Sequence, residues 1–309
     1  MGTPEFAVPT LDALHKSRHK VVAVVTSVDK YGGRGKKVLL ESAVKKYAVE
    51  QEIPVLQPKN LKSPKFNKLL RSYNADIQVV VAFRMLPVMV WDMPPLGTIN
   101  LHGSLLPQFR GAAPINWAVI TGEKVTGLTT FKLKHEIDTG DTIHQVKVRI
   151  DENDTAGIVH NKLMMEGGPL MLQTMEDFSH DKVVFHPQDL SLVSKAPKIY
   201  RETCKIDFNQ DKHKVHNQIR GLSPYPGAWS VLPNNKEIKI LKSIIEIDEE
   251  NPVPKLEVGE IFTDNKKIFC VGTKDGHIKV LEAQLQGKKR MKIGDILNGT
   301  KFENGTRLT

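Results

Sequence analysis

The sequence predicts an α/β domain with a parallel-rich sheet, followed by a smaller domain built from short strands. Two continuous apolar runs, residues 21–26 and 77–83, have the composition of strands that are buried on both faces. Amphipathic segments separate these runs, as expected for a sheet that helices cover. The second half carries short strands with turn signals between them, and this pattern is typical of a small barrel or sandwich.

The elements of the first half follow in chain order. Thr3 is placed as the N-cap and Pro4 as the first residue of an opening helix. Apolar periodicity predicts further helices over residues 39–50, 63–73, 112–121 and 154–178. Strands are predicted over residues 98–104, 126–133 and 142–150, and a tight turn at residues 138–141 joins the last two.

The periodicity lapses over residues 181–202, where Pro187 and Pro197 occur, and we interpret this stretch as a linker. The predicted domains are therefore residues 1–180 and 203–309. In the second domain we expect one helix and four strands, over residues 211–222, 236–245, 257–263, 266–271 and 277–282.

Composition limits the classes of function. The 309 residues have a formal net charge of +9, which fits either a polyanionic partner or a solvated lysine-rich surface. Two cysteines do not make a Cys-rich zinc site and argue against a disulfide framework. No apolar stretch approaches the length of a membrane span. We expect a soluble, cytoplasmic protein with no metal and no membrane partner.

Asn100 and His102 carry the clearest chemical signal. In a strand their spacing of two puts both side chains on one face, where an amide and an imidazole can donate to a developing oxyanion. Asp138 lies in the predicted turn and is placed to hold the charge or tautomer of the imidazole. The spacing equally fits a histidine packed at a strand end beside a turn-forming aspartate.

The glycine-rich stretch at residues 32–37 is basic. It does not fit a phosphate-binding loop, because Lys36 is followed by Lys37 instead of Ser or Thr. A loop that contacts a nucleic-acid backbone and a merely solvated loop both remain open. The nucleophile-elbow pattern G-x-S-x-G is absent from the sequence, which favours direct group transfer over a covalent enzyme intermediate.

Several motifs together resemble the folate-dependent formyltransferases, and among these the methionyl-tRNA formyltransferases. They occur in the family's order at residues 1–7, 33–37, 100–107, 110–115, 137–141 and 223–229. The resemblance implies a Rossmann-like formyltransferase domain followed by an OB-fold-like, tRNA-binding barrel. It also implies 10-formyltetrahydrofolate as the formyl donor, initiator methionyl-tRNA as the acceptor and a role in translation initiation. We expect a monomer.

The resemblance also assigns residues. Asn100, His102 and Asp138 correspond to the catalytic residues, with Asn100 and a protonated His102 on the oxyanion and Asp138 keeping His102 charged and relaying the amine proton. Positions expected to contact the folate are Ser104, Leu105, Leu106 and Pro107. Positions expected to contact the tRNA are Arg34, Lys36, Lys37, Lys288, Lys289 and Arg290.

The sequence departs from the family in two places. Tyr31 and Gly32 stand where the family commonly has Pro-Ala, which is expected to loosen the basic loop. The family also carries a short apolar strand before the segment that begins at Gly2. We expect either that the true start of the protein lies upstream of Met1 or that the sheet lacks a central strand and loses stability.

Two other functions fit part of the sequence. One is a folate-dependent formyltransferase that acts on another amine, such as a glycinamide nucleotide or an amino sugar nucleotide. The other is a non-enzymatic RNA-binding protein in which the Asn-His-Asp set is idle. A formylation assay that offers each acceptor separates these hypotheses.

Overall fold

A computed structural model describes residues 1–32, 35, 37–245 and 253–309. Contacts divide the chain into two compact units, each described by itself below. The first comprises Met1–Gly111, Thr126–Val148 and His160–Lys195, and the second comprises Ala112–Val125, Arg149–Val159 and Ala196–Thr309. The domain boundaries at residues 180 and 203 stay a prediction.

The α-helices are α1 (Val8–Lys16), α2 (Ala43–Glu50), α3 (Pro64–Arg71), α4 (Val88–Trp91), α5 (Pro114–Ile120), α6 (Ala156–Ser179), α7 (Lys212–Gly221) and α8 (Ile293–Gly299). The strands of the first half are β1 (Val24–Val25), β2 (Lys30–Gly32), β3 (Val38–Leu40), β4 (Val55–Leu56), β5 (Gln78–Val81), β6 (Thr98–His102), β7 (Arg110–Gly111), β8 (Val125–Lys132) and β9 (Thr142–Arg149). Those of the second half are β10 (Lys195–Ala196), β11 (Ala228–Val231), β12 (Glu237–Ile244), β13 (Ile261–Thr263), β14 (Phe269–Thr273), β15 (Gly276–Leu285) and β16 (Met291–Lys292).

The first unit is built on a four-stranded sheet in the order β5-β6-β8-β9. β5 and β6 are parallel, with Val80 opposite Asn100, whereas β6 and β8 are antiparallel, with His102 opposite Thr129. Ile99 and Leu101 of β6 are buried, so the strand is fixed in the core and its alternate residues face the other side. The predicted α/β class with a parallel-rich sheet is confirmed.

A separate parallel pair, β1 and β4, lies next to this sheet. Met1 and Gly2 connect the two, because the Met1 ammonium donates to Val79 O at 2.6 Å and Gly2 N–H donates to Val25 O at 3.0 Å. Beyond this dipeptide, β1 and β5 line a cavity of about 590 Å³. The strand predicted over residues 21–26 is therefore reduced to Val24–Val25, since one of its edges meets the cavity instead of a neighbouring strand.

The second unit contains an antiparallel sheet in the order β11-β12-β15-β14-β13, with β16 beside β15. The last residues of the chain pair with both edges of this sheet. Thr309 exchanges two main-chain hydrogen bonds with Val231, at 2.9 and 3.1 Å, and Ile261 N–H donates to Thr306 O at 2.8 Å. The tail thus closes the sheet into a small barrel around Ile240, Phe269 and other buried apolar residues.

Three local predictions were wrong. The helix predicted over residues 39–50 begins only at Ala43, because Ser42 Oγ caps it by accepting from Lys45 N and the preceding β3 pairs with β2. Thr3 is not an N-cap: a 3₁₀ turn over Glu5–Ala7 precedes α1, and Pro4 occupies the cap position. The strand predicted over residues 257–263 begins at Ile261.

Within the described residues, no helix is long and apolar enough to cross a membrane. The same part of the chain contains no group of three His, Cys, Asp or Glu side chains arranged to hold a metal ion.

Candidate active site

Strand β6 presents Asn100 and His102 on one face. Ile99 and Leu101 alternate with them and are packed in the core, which leaves the two polar side chains on the opposite side of the sheet. The His102 ring meets Phe131 of β8 edge-on, with centroids 6.4 Å apart. Asn100 is half-buried, and its side chain makes no hydrogen bond to any residue that the structure describes. Its amide is therefore available to a ligand.

His102 is held in one orientation by a main-chain contact. Its Nε2 lies 3.0 Å from the carbonyl oxygen of Phe109, which only accepts hydrogen bonds. Nε2 must therefore carry a proton. The other ring nitrogen, Nδ1, faces Asp138, whose Oδ2 lies 3.8 Å away. That separation is too long for a direct hydrogen bond but short enough for an ion pair when the ring is protonated.

Asp138 belongs to a tight turn between β8 and β9. Its φ is +54°, in the left-handed region that aspartate tolerates better than most residues. Gly140 is required in the same turn, because a Cβ there would lie 1.7 Å from Lys132 O. The Asp138 Oδ2 accepts from Gly111 N–H at 2.8 Å. The carboxylate is thus fixed on one side by β7 and faces His102 on the other.

A glutamine outside the predicted site holds this turn. Gln188 Nε2 donates to the carbonyl oxygens of Asp138 and Gly140, at 2.9 and 2.7 Å. Its Oε1 accepts from Arg110 Nη2 and Nε, at 2.6 and 3.1 Å. Sequence reasoning missed Gln188 because it lies in the predicted linker. It lies between Pro187 and Asp189, and no motif marks it.

The loop predicted to contact folate is tightly organised. Ser104 is fully buried, and its Oγ donates to Gln108 O at 2.6 Å. Thr129 Oγ1 donates to Ser104 O at 2.7 Å and accepts from Leu106 N at 3.0 Å. The Ser104 hydroxyl therefore shapes the loop and is not free for a ligand. Of the four predicted folate contacts, Leu105 is half-buried. The other three, Ser104, Leu106 and Pro107, are buried.

The predicted tRNA contacts fall in two groups. Arg34 and Lys36 lie outside the described residues, whereas Lys37 is exposed in the first unit. In the second unit Lys288, Lys289 and Arg290 are all exposed in the turn between β15 and β16. The Arg290 guanidinium is paired with Glu282, at 2.6 Å between Nε and Oε2. The two lysines are the more available cations of this turn.

Comparison with known proteins identifies the family. A family model described as formyl transferase matches residues 1–175, and one described as formyl transferase, C-terminal domain, matches residues 198–301. The chain belongs to the formyl transferase family. The candidate active site, with Asn100, His102 and Asp138, lies within the part matched by the first of these models.

This formyl transferase has close curated relatives that are named methionyl-tRNA formyltransferase. It is 49% identical to the relative from Bacteroides thetaiotaomicron and covers 97% of that protein, with 100% of the present chain aligned. The relative from Flavobacterium johnsoniae is 44% identical over 100% of this chain and 97% of its own.

Solved structures share the fold. An N-formyltransferase from Helicobacter canadensis, in complex with folinic acid and dTDP-3-aminofucose, is 21% identical with a TM-score of 0.67. The match covers 92% of this chain and 97% of that one. HypX from Aquifex aeolicus, in complex with tetrahydrofolic acid, is 22% identical with a TM-score of 0.60, over 84% of this chain and 47% of that one. At these identities the likeness concerns the fold alone.

Proposed function

We propose that the protein transfers the formyl group of 10-formyltetrahydrofolate to the α-amine of methionine on initiator tRNA. The observation that carries this proposal is the convergence of Asn100, His102 and Asp138 on one side of β6, with Asp138 Oδ2 3.8 Å from His102 Nδ1. The methionyl-tRNA formyltransferases among its relatives support the choice of acceptor.

Asn100 is proposed to stabilise negative charge on the formyl oxygen. When the amine attacks the formyl carbon, the carbonyl oxygen becomes an oxyanion, and an unengaged amide N–H aimed at it stabilises the transition state. Asn100 suits this role because no described residue competes for its side chain. Its place on a strand, between the core residues Ile99 and Leu101, keeps the amide from moving away during the reaction.

His102 is proposed to move the proton. Its Nε2–H is engaged by Phe109 O, so Nδ1 is the nitrogen that takes a proton from the attacking amine and returns it to N10 of the folate as the bond from N10 to the formyl carbon breaks. The products are formylmethionyl-tRNA and tetrahydrofolate. Asp138 stabilises the transient imidazolium by its charge across the 3.8 Å that separates Oδ2 from Nδ1.

The folate is proposed to lie against the loop at residues 104–107. Since the Ser104 hydroxyl is engaged inside the loop, contact there falls to Leu105, Leu106 and Pro107 and to the main chain. Arg34, Lys36 and Lys37 of the basic loop and Lys288, Lys289 and Arg290 of the barrel are proposed to hold the tRNA backbone through charge.

The test follows a labelled formyl group from 10-formyltetrahydrofolate to each of four acceptors at equal concentration. The acceptors are methionyl-tRNA, free methionine, a glycinamide nucleotide and an amino sugar nucleotide. We expect label on methionyl-tRNA far above the others. Preferential labelling of either nucleotide would replace the acceptor in the proposal. Absence of label on every acceptor, with folded protein, would reject formyl transfer and favour a non-enzymatic RNA-binding protein.

A further inference from the structure

The segment around Gln188 is part of the first unit and not a loose connection. His186 and Thr142 exchange two main-chain hydrogen bonds, at 2.8 and 2.9 Å. At the other end, Ser194 Oγ accepts from Phe109 N at 2.9 Å and Ser194 O accepts from Arg110 N at 2.9 Å. The segment is therefore anchored on both sides of the Asp138 turn and beside the loop whose carbonyl holds His102.

Every hydrogen-bonding position of the Gln188 amide is used. Both N–H groups donate to main-chain carbonyls of the turn, at Asp138 and Gly140, and the carbonyl oxygen accepts two N–H groups from Arg110. A half-buried amide with four partners has a single low-energy orientation. It sets the distance between the turn and β7, two segments 27 residues apart that share the Asp138–Gly111 hydrogen bond.

The distance between the Asp138 turn and β7 determines where the Asp138 carboxylate lies. Asp138 is in the left-handed region, where the main chain is held by its surroundings and relaxes when a partner is lost. Its Oδ2 faces His102 Nδ1 at 3.8 Å, close to the limit of an effective ion pair. A displacement of about 1 Å at a reacting group can cost roughly 100-fold in rate. Movement of this turn would therefore change the distance between the Asp138 carboxylate and the His102 imidazole.

We propose that Gln188 is a positioning residue for formyl transfer: it holds the Asp138 turn so that the carboxylate faces His102. This inference rests on the proposed function. Gln188 acts through main-chain carbonyls and touches neither His102 nor the reacting atoms.

The first test replaces Gln188 by methionine, which keeps the length of the side chain and removes all four hydrogen bonds. We expect kcat for methionyl-tRNA formylation to fall roughly 10- to 100-fold, with KM for both substrates changed by less than about threefold. The matched control is Gln218→Met. Gln218 is also half-buried and its Nε2 donates to two main-chain carbonyls, at Thr203 and Lys205, but it lies on α7 of the second unit. We expect this control to retain kcat.

The second test separates positioning from general stability. If Gln188 acts through Asp138, Gln188→Met has little further effect on kcat in an Asp138→Asn background, because the carboxylate it positions is already gone. Gln188→Glu keeps acceptors for Arg110 but loses both donors to the turn, so we expect it to be as slow as Gln188→Met.

Three outcomes overturn the inference: unchanged kcat in Gln188→Met, additive losses in the double variant, or full activity of Gln188→Glu. A wild-type protein that does not formylate methionyl-tRNA under the same conditions rejects the proposed function instead. Circular dichroism of each variant at the assay temperature shows that loss of kcat is measured on folded protein.

Discussion

At the residue scale, the contact between His102 and Phe109 determines which nitrogen of the imidazole is available. A carbonyl oxygen 3.0 Å from Nε2 fixes the proton on that nitrogen, which leaves Nδ1 to exchange protons in the proposed reaction. Asp138 lies 3.8 Å from Nδ1. In the proposed mechanism it stabilises a positive charge that the ring carries only during the reaction.

We expect Asn100→Ala, His102→Ala and Asp138→Asn each to lower kcat by roughly 100- to 1,000-fold while the protein stays folded, because Asn100 and Asp138 are proposed to stabilise charge in the transition state and His102 to move the proton. Steady-state formylation and thermal unfolding measure the two quantities. Asp181→Asn is the control, since Asp181 also has a positive φ but is exposed and outside the site. Near-normal turnover of His102→Ala would contradict its role in moving the proton.

The pair Asn100 and His102 could be predicted from sequence because period-two alternation in a strand is a local property. Gln188 could not. Its four hydrogen bonds are made with Arg110, Asp138 and Gly140, and two of them go to main-chain carbonyl oxygens that only the fold brings within reach. A main-chain carbonyl is present at every residue, so no sequence pattern marks the one that a side chain will reach.

At the element scale, the turn between β8 and β9 depends on Gly140. A methyl group at that position would lie 1.7 Å from Lys132 O, a main-chain atom that cannot move without disturbing β8. The same strand supplies Phe131, which packs against the His102 ring. Strand β8 is therefore in contact with both the Asp138 turn and the His102 ring.

Gly140→Ala is expected to destabilise the protein by about 1–3 kcal/mol and to lower kcat, because the turn must open to admit the methyl group. Chemical denaturation and formylation kinetics report the two effects. Gly299→Ala is the matched control: an added Cβ there meets no atom within 4 Å, and the residue ends α8. Equal stability of the two variants would show that the turn has more room than the structure indicates.

Elements were predicted well where apolar periodicity was continuous and poorly where pairing decided the outcome. The helix predicted over residues 39–50 begins late because Val38–Leu40 pairs with Lys30–Gly32. The apolar residues of this hairpin are exposed, so their sequence pattern did not predict a strand. The strand predicted over residues 21–26 is short because its length depends on a neighbour. Closure of the barrel by residues 305–309 also went unpredicted, since the segment is too short to show a period.

At the scale of the whole molecule, charge is the main expected determinant of tRNA affinity. Each lysine that contacts a phosphate contributes roughly 0.7–0.9 to the slope of log affinity against log salt concentration. Replacing both Lys288 and Lys289 by alanine should therefore lower the magnitude of this slope by about 1.5. Binding titrations at several salt concentrations measure this slope. The control is Lys266→Ala with Lys267→Ala, an exposed pair in the same unit with the same change in net charge. Equal slopes for the two double variants would contradict the assignment.

Closure of the barrel also bears on how the two cysteines react. Cys204 and Cys270 lie in the second unit and both are buried. A thiol reagent reaches a buried cysteine only when the surrounding structure opens. The rate at which such a reagent modifies the native protein should therefore report how often this unit opens.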